Sequence, residues 1–203
     1  YKDQTISLIP ESTGQVVIML GQPTIAHNHP DELGLRLLNC HLSVGMSSIL
    51  FKELREKYGV AYDVGIHFPA REGPTPFLIH ASTSEEKSSL SLKLLIENWV
   101  RIQDKELTNE ELELAKAKFR GQLAHNSQTT GQIAERKAQL RGFNMDENHD
   151  EACLLKINSI TSKDLVKIAK IHLRNPLLSL CGPKNSLKQM SKVWEGFQQV
   201  SNK

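Results

Sequence analysis

The chain has 203 residues, with 25 Lys and Arg against 23 Asp and Glu, a formal net charge of +2 at pH 7. That balance offers no broad positive field for nucleic-acid phosphates, and no apolar run approaches the roughly 20 residues of a membrane span. Hydrophobic residues are 39% and charged residues 24%, the make-up of a globular domain large enough to bury a core without disulfides.

The first strong apolar run, residues 16–20, lies between Gly14 and Gly21 and reads as a strand buried on both faces, with Pro23 marking an edge or bend. Residues 27–31 are polar, contain Pro30 and read as a loop opening a helix. That helix carries Leu33, Leu35, Leu37, Leu38 and Leu42 and stops near Gly45. Ser47 is placed to cap the next helix, in which Leu50, Leu54 and Tyr58 form a stripe beside Phe51. Glu53 and Lys57 are spaced to pair along it, and Gly59 to end it. Residues 61–68 alternate, with Tyr62, Val64, Ile66 and Phe68 on one side, which predicts a strand. The turn signal Glu72-Gly73-Pro74 and a second strand over residues 77–82 complete a hairpin.

Capping boxes then predict helices opening at Thr83-x-x-Glu86, Thr108-x-x-Glu111 and Thr161-x-x-Asp164. Leu107 with Leu112, and Ile160 with Leu165, fit hydrophobic staples around the last two. The middle helix runs through Leu114, Ala115, Ala117, Phe119 and Leu123, and its Lys116, Lys118 and Arg120 read as its wet side. Residues 131–140 and 151–156 are further helix candidates, and Trp99 and Phe119 belong to the core. Residues 177–181 read as a last buried strand, and residues 184–203 as a weak helix that frays. Blocks of helices around a central hairpin predict an α+β fold, a largely antiparallel sheet with helices packed on one face. We read residues 1–203 as a single domain.

Three cysteines, Cys40, Cys153 and Cys181, stand far apart, which suits buried free thiols in a reducing compartment. Bacterial cytoplasm is the leading expectation, and an organelle matrix also fits. The chain opens at Tyr1 without Met or leader, so a piece of a longer protein is expected. The zinc patterns H-E-x-x-H and H-x-x-E-H are absent, as are G-x-S-x-G, a Walker loop and G-x-G-x-x-G. Of eight histidines only His27 and His29 stand close together, and Pro30 beside them favours a solvated loop over a metal site.

The most informative stretch is residues 45–64, Gly-Met-Ser-Ser-Ile-Leu-Phe-Lys-Glu-Leu-Arg-Glu-Lys-Tyr-Gly-Val-Ala-Tyr-Asp-Val. It resembles a signature of the pitrilysin-type, or M16, zinc metallopeptidases, in the C-terminal half of their processing-peptidase-like branch. The matching elements are Gly-x-Ser-Ser, Leu-Phe, Leu-Arg-Glu-Lys, Gly and Ala-Tyr-x-Val. Residues 107–116 agree more loosely with the family's next helix. Ile49 departs from the pattern, where many relatives carry Arg.

The resemblance implies a two-half protein that closes on an extended peptide. The first half, absent here, would carry the zinc and its ligands, so this fragment would hold no cofactor of its own and be inactive alone. The second half would contribute an Arg and a Tyr seven residues apart, matched here by Arg55 and Tyr62. Tyr62 would donate a hydrogen bond to the scissile carbonyl, and Arg55 would grip the substrate. A plainer reading stands beside this. An Arg in a last helical turn meets the helix dipole favourably, and a Tyr in an alternating strand is usually core. The alternatives at family level are a zinc-less partner subunit working beside an active homologue and a structural core-type subunit. The implied partners are the zinc-binding half or such a homologue, with no nucleic acid and no membrane span.

Overall fold

The structure, a computed structural model, describes residues 5–201. In chain order the elements are β1 (Ile6–Pro10), β2 (Gln15–Pro23), α1 (Glu32–Ser43), a π-helical turn (Phe51–Lys57), β3 (Asp63–His67), β4 (Pro76–Ser84), α2 (Ser88–Asp104), α3 (Asn109–His125), α4 (Thr130–Gly142), α5 (His149–Lys156), a 3-10 turn (Ile157–Ser159), α6 (Ser162–His172), β5 (Leu177–Gly182) and α7 (Lys184–Ser201). The sheet order is β1-β5-β2-β4-β3. Among the described residues only β1 and β5 run parallel, and the other three ladders are antiparallel. The α+β expectation therefore holds.

Alternation decides which face of the sheet is the core. Val16, Ile18 and Leu20 on β2 lie in register with Thr83, Ala81 and Ile79 on β4, and all six are buried. Leu178 and Leu180 of β5 continue the same face. α2 crosses it against β2 and β4, α7 covers β1 and β5, and α1 packs on α3 and α6. The expectation that residues 16–20 are buried on both faces is corrected. Val17 is half-buried and Met19 is 41% exposed, because the helices cover the opposite side. Gly21 lets β2 approach β4 closely, since a Cβ there would stand 2.2 Å from the Phe77 carbonyl oxygen.

Other departures have local causes. β1 was not anticipated: it is five residues long, and its ladder partner β5 lies about 170 residues away in sequence. The Thr83-x-x-Glu86 box does not form, because β4 runs on to Ser84 and the Thr83 hydroxyl donates to the Val60 carbonyl instead. The chain's end is no weak helix over the described residues. Leu187, Met190 and Trp194 form one buried stripe of α7, and the Trp194 indole N–H donates to Thr5 Oγ1 at 3.2 Å. Residues 202 and 203 of that expectation lie outside the described residues. The Thr108 and Thr161 boxes form with both reciprocal bonds, and a third unforeseen box at Thr129 opens α4. On α3, Lys116 is only 4% exposed and reaches Glu113 at 3.0 Å, while Leu114 faces outward. Leu112, Ala115 and Phe119 do face the core, so the inward stripe is the one the apolar residues predict, with Lys116 drawn into it from the expected wet side.

Candidate functional site

The segment over residues 45–64 is built around two glycines with left-handed backbone, Gly45 at φ +75° and Gly59 at φ +59°. Helical bonding opens from Ser48 rather than Ser47, with the Lys52 N–H on the Ser48 carbonyl at 3.0 Å. The turn then widens to π geometry, the Tyr58 N–H reaching the Glu53 carbonyl at 3.0 Å. Such wide turns are rare and concentrate at functional sites. Leu50 and Leu54 enter the core, but Tyr58 does not; it is exposed, with the Lys57 ammonium 4.9 Å from its ring centre. The expected Glu53–Lys57 pair is not seen. Glu53 instead turns to α2, accepting from Asn98 Nδ2 and Arg101 Nη1, both at 2.8 Å. Burial alone would raise the Glu53 carboxyl, and these two donors outweigh it and hold its pKa below the ordinary value.

Glu53 and Leu54 thus fix the inner side of the turn, and Arg55 projects outward. Its guanidinium lies over the Phe51 ring at 5.2 Å. The chain folds back at Gly59, so the N–H groups of Val60 and Ala61 both donate to the Leu54 carbonyl, at 2.7 and 3.3 Å. Three side chains clamp the carbonyls of this reversal. Thr83 and Ser91 donate to Val60, and Lys87 donates to Gly59 at 2.8 Å. The Tyr62 N–H then starts the β3–β4 pairing on the Ser82 carbonyl at 2.8 Å. Tyr62 itself is 62% exposed. Arg55 and Tyr62 therefore flank one bonded reversal on a firmly held backbone. Among the described residues neither side chain makes a hydrogen bond or ion pair. The core role that a Tyr in an alternating strand usually takes is not the one Tyr62 has.

A second polar feature was not foreseen. A cleft of about 1010 Å³ opens between α1, α3, α4 and α5, and neither Arg55 nor Tyr62 lines it. His27 stands in its wall, only 3% exposed, which corrects the expectation of a solvated loop there. His27 Nδ1 lies 2.7 Å from Glu32 Oε1, which also accepts from Arg36 Nε at 2.5 Å. Arg136 Nη2 lies 3.1 Å from His27 Nε2 and donates to Asp150 Oδ1 at 2.7 Å, while Arg136 Nε donates to Asp150 Oδ2 at 2.8 Å. The bonds to Asp150 raise the Arg136 pKa further, and they hold the Asp150 carboxyl below its ordinary value against the opposing effect of burial. Each charge here is met by its opposite, so the cluster ties α4 and α5 to α1. Burial and the nearby carboxylates push the adjacent Cys153 thiol up to about 11, and burial pushes Cys40 up to about 12. Both stay protonated and unreactive. Cys40 and Cys153 are buried free thiols as expected, whereas Cys181 is only half-buried. The signal for this cluster was the Glu32–Arg36 spacing on α1; the approach of α4 and α5 left none.

Residues 2–119 match the family model of the peptidase M16 inactive domain. This chain belongs to that family. An uncharacterized zinc protease of Streptomyces coelicolor is 28% identical over 189 residues, covering 93% of this chain and 41% of its own length. The solved peptidase M16 inactive domain from Pseudomonas fluorescens superposes with a TM-score of 0.81 at 25% identity, over 89% of this chain and 43% of that one. A protease from Helicobacter pylori shares the fold, with a TM-score of 0.77 at 19% identity over 88% of this chain and 44% of that one. The chain spans less than half the length of these relatives. The chain is thus an M16 inactive domain of α+β architecture, and none of its described helices is long and apolar enough to cross a membrane. No described residue beside Arg55 and Tyr62 supplies a ligand set that would fit a zinc ion there; the one His and carboxylate group at ligand spacing lies elsewhere, around His172.

Proposed function

We propose that this chain is a single-domain, substrate-side half of a two-half M16 zinc metalloendopeptidase, inactive by itself and completed by a zinc-bearing half outside it. The observation that carries the reading is the exposed, uncommitted Arg55–Tyr62 pair on the clamped reversal at Gly59. The names of the relatives, which are zinc proteases, support the presence of zinc in the parent protein. When bound in the other half, zinc would polarise the scissile carbonyl and activate a water.

Tyr62 would donate its O–H to the carbonyl oxygen as negative charge develops on it. Arg55 would hold a substrate carbonyl or carboxylate with its planar fork of donors. β3 ends the sheet order, so among the described strands its outer edge has no partner. It begins immediately after Tyr62, where an extended peptide would pair as an added strand.

The test is Tyr62→Phe in the assembled, zinc-loaded peptidase. Turnover should fall by about 10²–10³-fold, as for loss of one oxyanion donor, with an unchanged melting temperature. Unchanged turnover would remove Tyr62 from the mechanism. Zinc content of the parent then separates the main readings. A tightly held zinc supports a single-chain peptidase, and a folded parent that refuses zinc would make the chain part of a partner or structural subunit.

A further inference from the structure

We propose that His29, Asp31 and His172 form a binding site for one divalent transition-metal ion of the zinc class, separate from any zinc in the other half of the protein. One ligand atom from each of the three residues lies within 4.8 Å of the other two. The residues come from two segments far apart in sequence, the loop before α1 and the last residue of α6.

Asp31 is the telling residue. It occupies the N-cap of α1, where an Asp side chain ordinarily accepts from the helix's own N–H groups. Here it makes no such capping bond. Its carboxylate instead meets His172 Nε2 at 2.8 Å. The Asp31 N–H donates to His29 Nδ1 at 3.1 Å, and the two imidazole rings stand edge to face with centres 5.4 Å apart.

His172 is held from behind. Gln22 Nε2 donates to its carbonyl at 2.7 Å, and the next carbonyl, of Leu173, accepts from the Trp99 indole at 2.9 Å. The loop is braced as well, with the His29 N–H on Ala26 and the Glu32 N–H on His29. The Lys156 ammonium is committed to the Pro30 carbonyl at 3.1 Å.

Two imidazoles and one carboxylate are a borderline-soft set suited to zinc, leaving a fourth tetrahedral position for water. Ligand atoms around such an ion stand about 3.3 Å apart, given metal–ligand bonds of about 2.0–2.1 Å. His29 is exposed and has room to turn inward by the remaining distance. The cation would take the place of the hydrogen bond between His172 Nε2 and Asp31 Oδ2, with the neutral imidazole carrying its proton on Nδ1. The bound ion would lock the entry to α1 onto the end of α6.

The experiment is titration of the untagged, EDTA-stripped 203-residue chain with zinc chloride by calorimetry, repeated with Co²⁺ for its visible spectrum. One site per chain is expected, with a tetrahedral Co²⁺ band. His29→Ala should weaken zinc by about 100-fold or more while leaving the metal-free melting temperature unchanged, since His29 is exposed. His172→Ala should weaken it similarly. Cys153→Ser, beside the other histidine cluster at His27 and His149, should leave the affinity unchanged. Absence of saturable binding tighter than about 100 µM, unaltered affinity in His29→Ala, or loss of binding in Cys153→Ser would each overturn the proposal.

Discussion

His41 shows how much one buried side chain determines. Burial pushes its imidazole down to about 4, with Arg101 and Lys118 acting in the same direction and Glu111 opposing. The unfolded chain takes up a proton near pH 6.5, and the folded chain does so only near pH 4. Stability is therefore full above pH 6.5 and falls as the pH drops through that window, by about 3 kcal/mol in all. His41→Gln should flatten the profile between pH 6.5 and 4.5, measured by urea unfolding at stepped pH. His149, also pushed down by burial, would leave a residual slope. An equally steep profile in the variant would show that His41 is not the group responsible. His27 and Lys116 carry the same lesson of scale. Each reads as a solvated residue in its local sequence, and each is buried, His27 against the distant Arg136 and Lys116 on the inward stripe of α3 beside Leu112, Ala115 and Phe119.

At the scale of the element, ends were more legible than surroundings. The boxes at Thr108 and Thr161 are local, reciprocal arrangements of four residues, so they form wherever the chain is free to start a helix. The Thr83 box met a competing demand, since β4 needed that residue for its ladder. Thr108→Ala should cost about 1 kcal/mol, read as a shifted denaturant midpoint, while Thr83→Ala should act through the Val60 carbonyl that it leaves with fewer donors. α7 is the opposite case. Its residues have modest helix signals, yet Trp194 is 1% exposed and packs against Phe197 with ring centres 5.2 Å apart. Trp194→Ala should destabilise the fold by about 3–5 kcal/mol. A midpoint moved by less than half of that would mean that α7 contributes little to the core.

At the scale of the whole molecule, one sheet face is covered by helices and the other stays partly open, bearing Val17, Met19, His80 and Cys181 in neighbouring register. The chain spans less than half the length of its relatives, and the exposed Arg55 and Tyr62 make no side-chain hydrogen bond or ion pair among the described residues. Both features suit a half that functions against another. The isolated chain should accordingly show no peptide hydrolysis above background with zinc supplied, measured with a quenched fluorescent peptide. Turnover by the chain alone would overturn the division of labour proposed here.

The amino-acid sequence by itself determined the family, through the ordered run over residues 45–64, and the α+β class, through hydrophobic period and turn chemistry. It also marked Arg55 and Tyr62 as candidates, through the resemblance of their seven-residue spacing to that of the family's Arg and Tyr. These are short-range features, carried by residues close in sequence. Only the tertiary structure decided which sheet face is covered, that residues 6–10 join β5, and that the chain's end closes the core as α7. It alone gathered His27 with Arg136, and Asp31 with His172, because those groups are separated by more than 100 residues. Their proximity depends on how helices pack, and helix packing is a long-range outcome that no local pattern encodes.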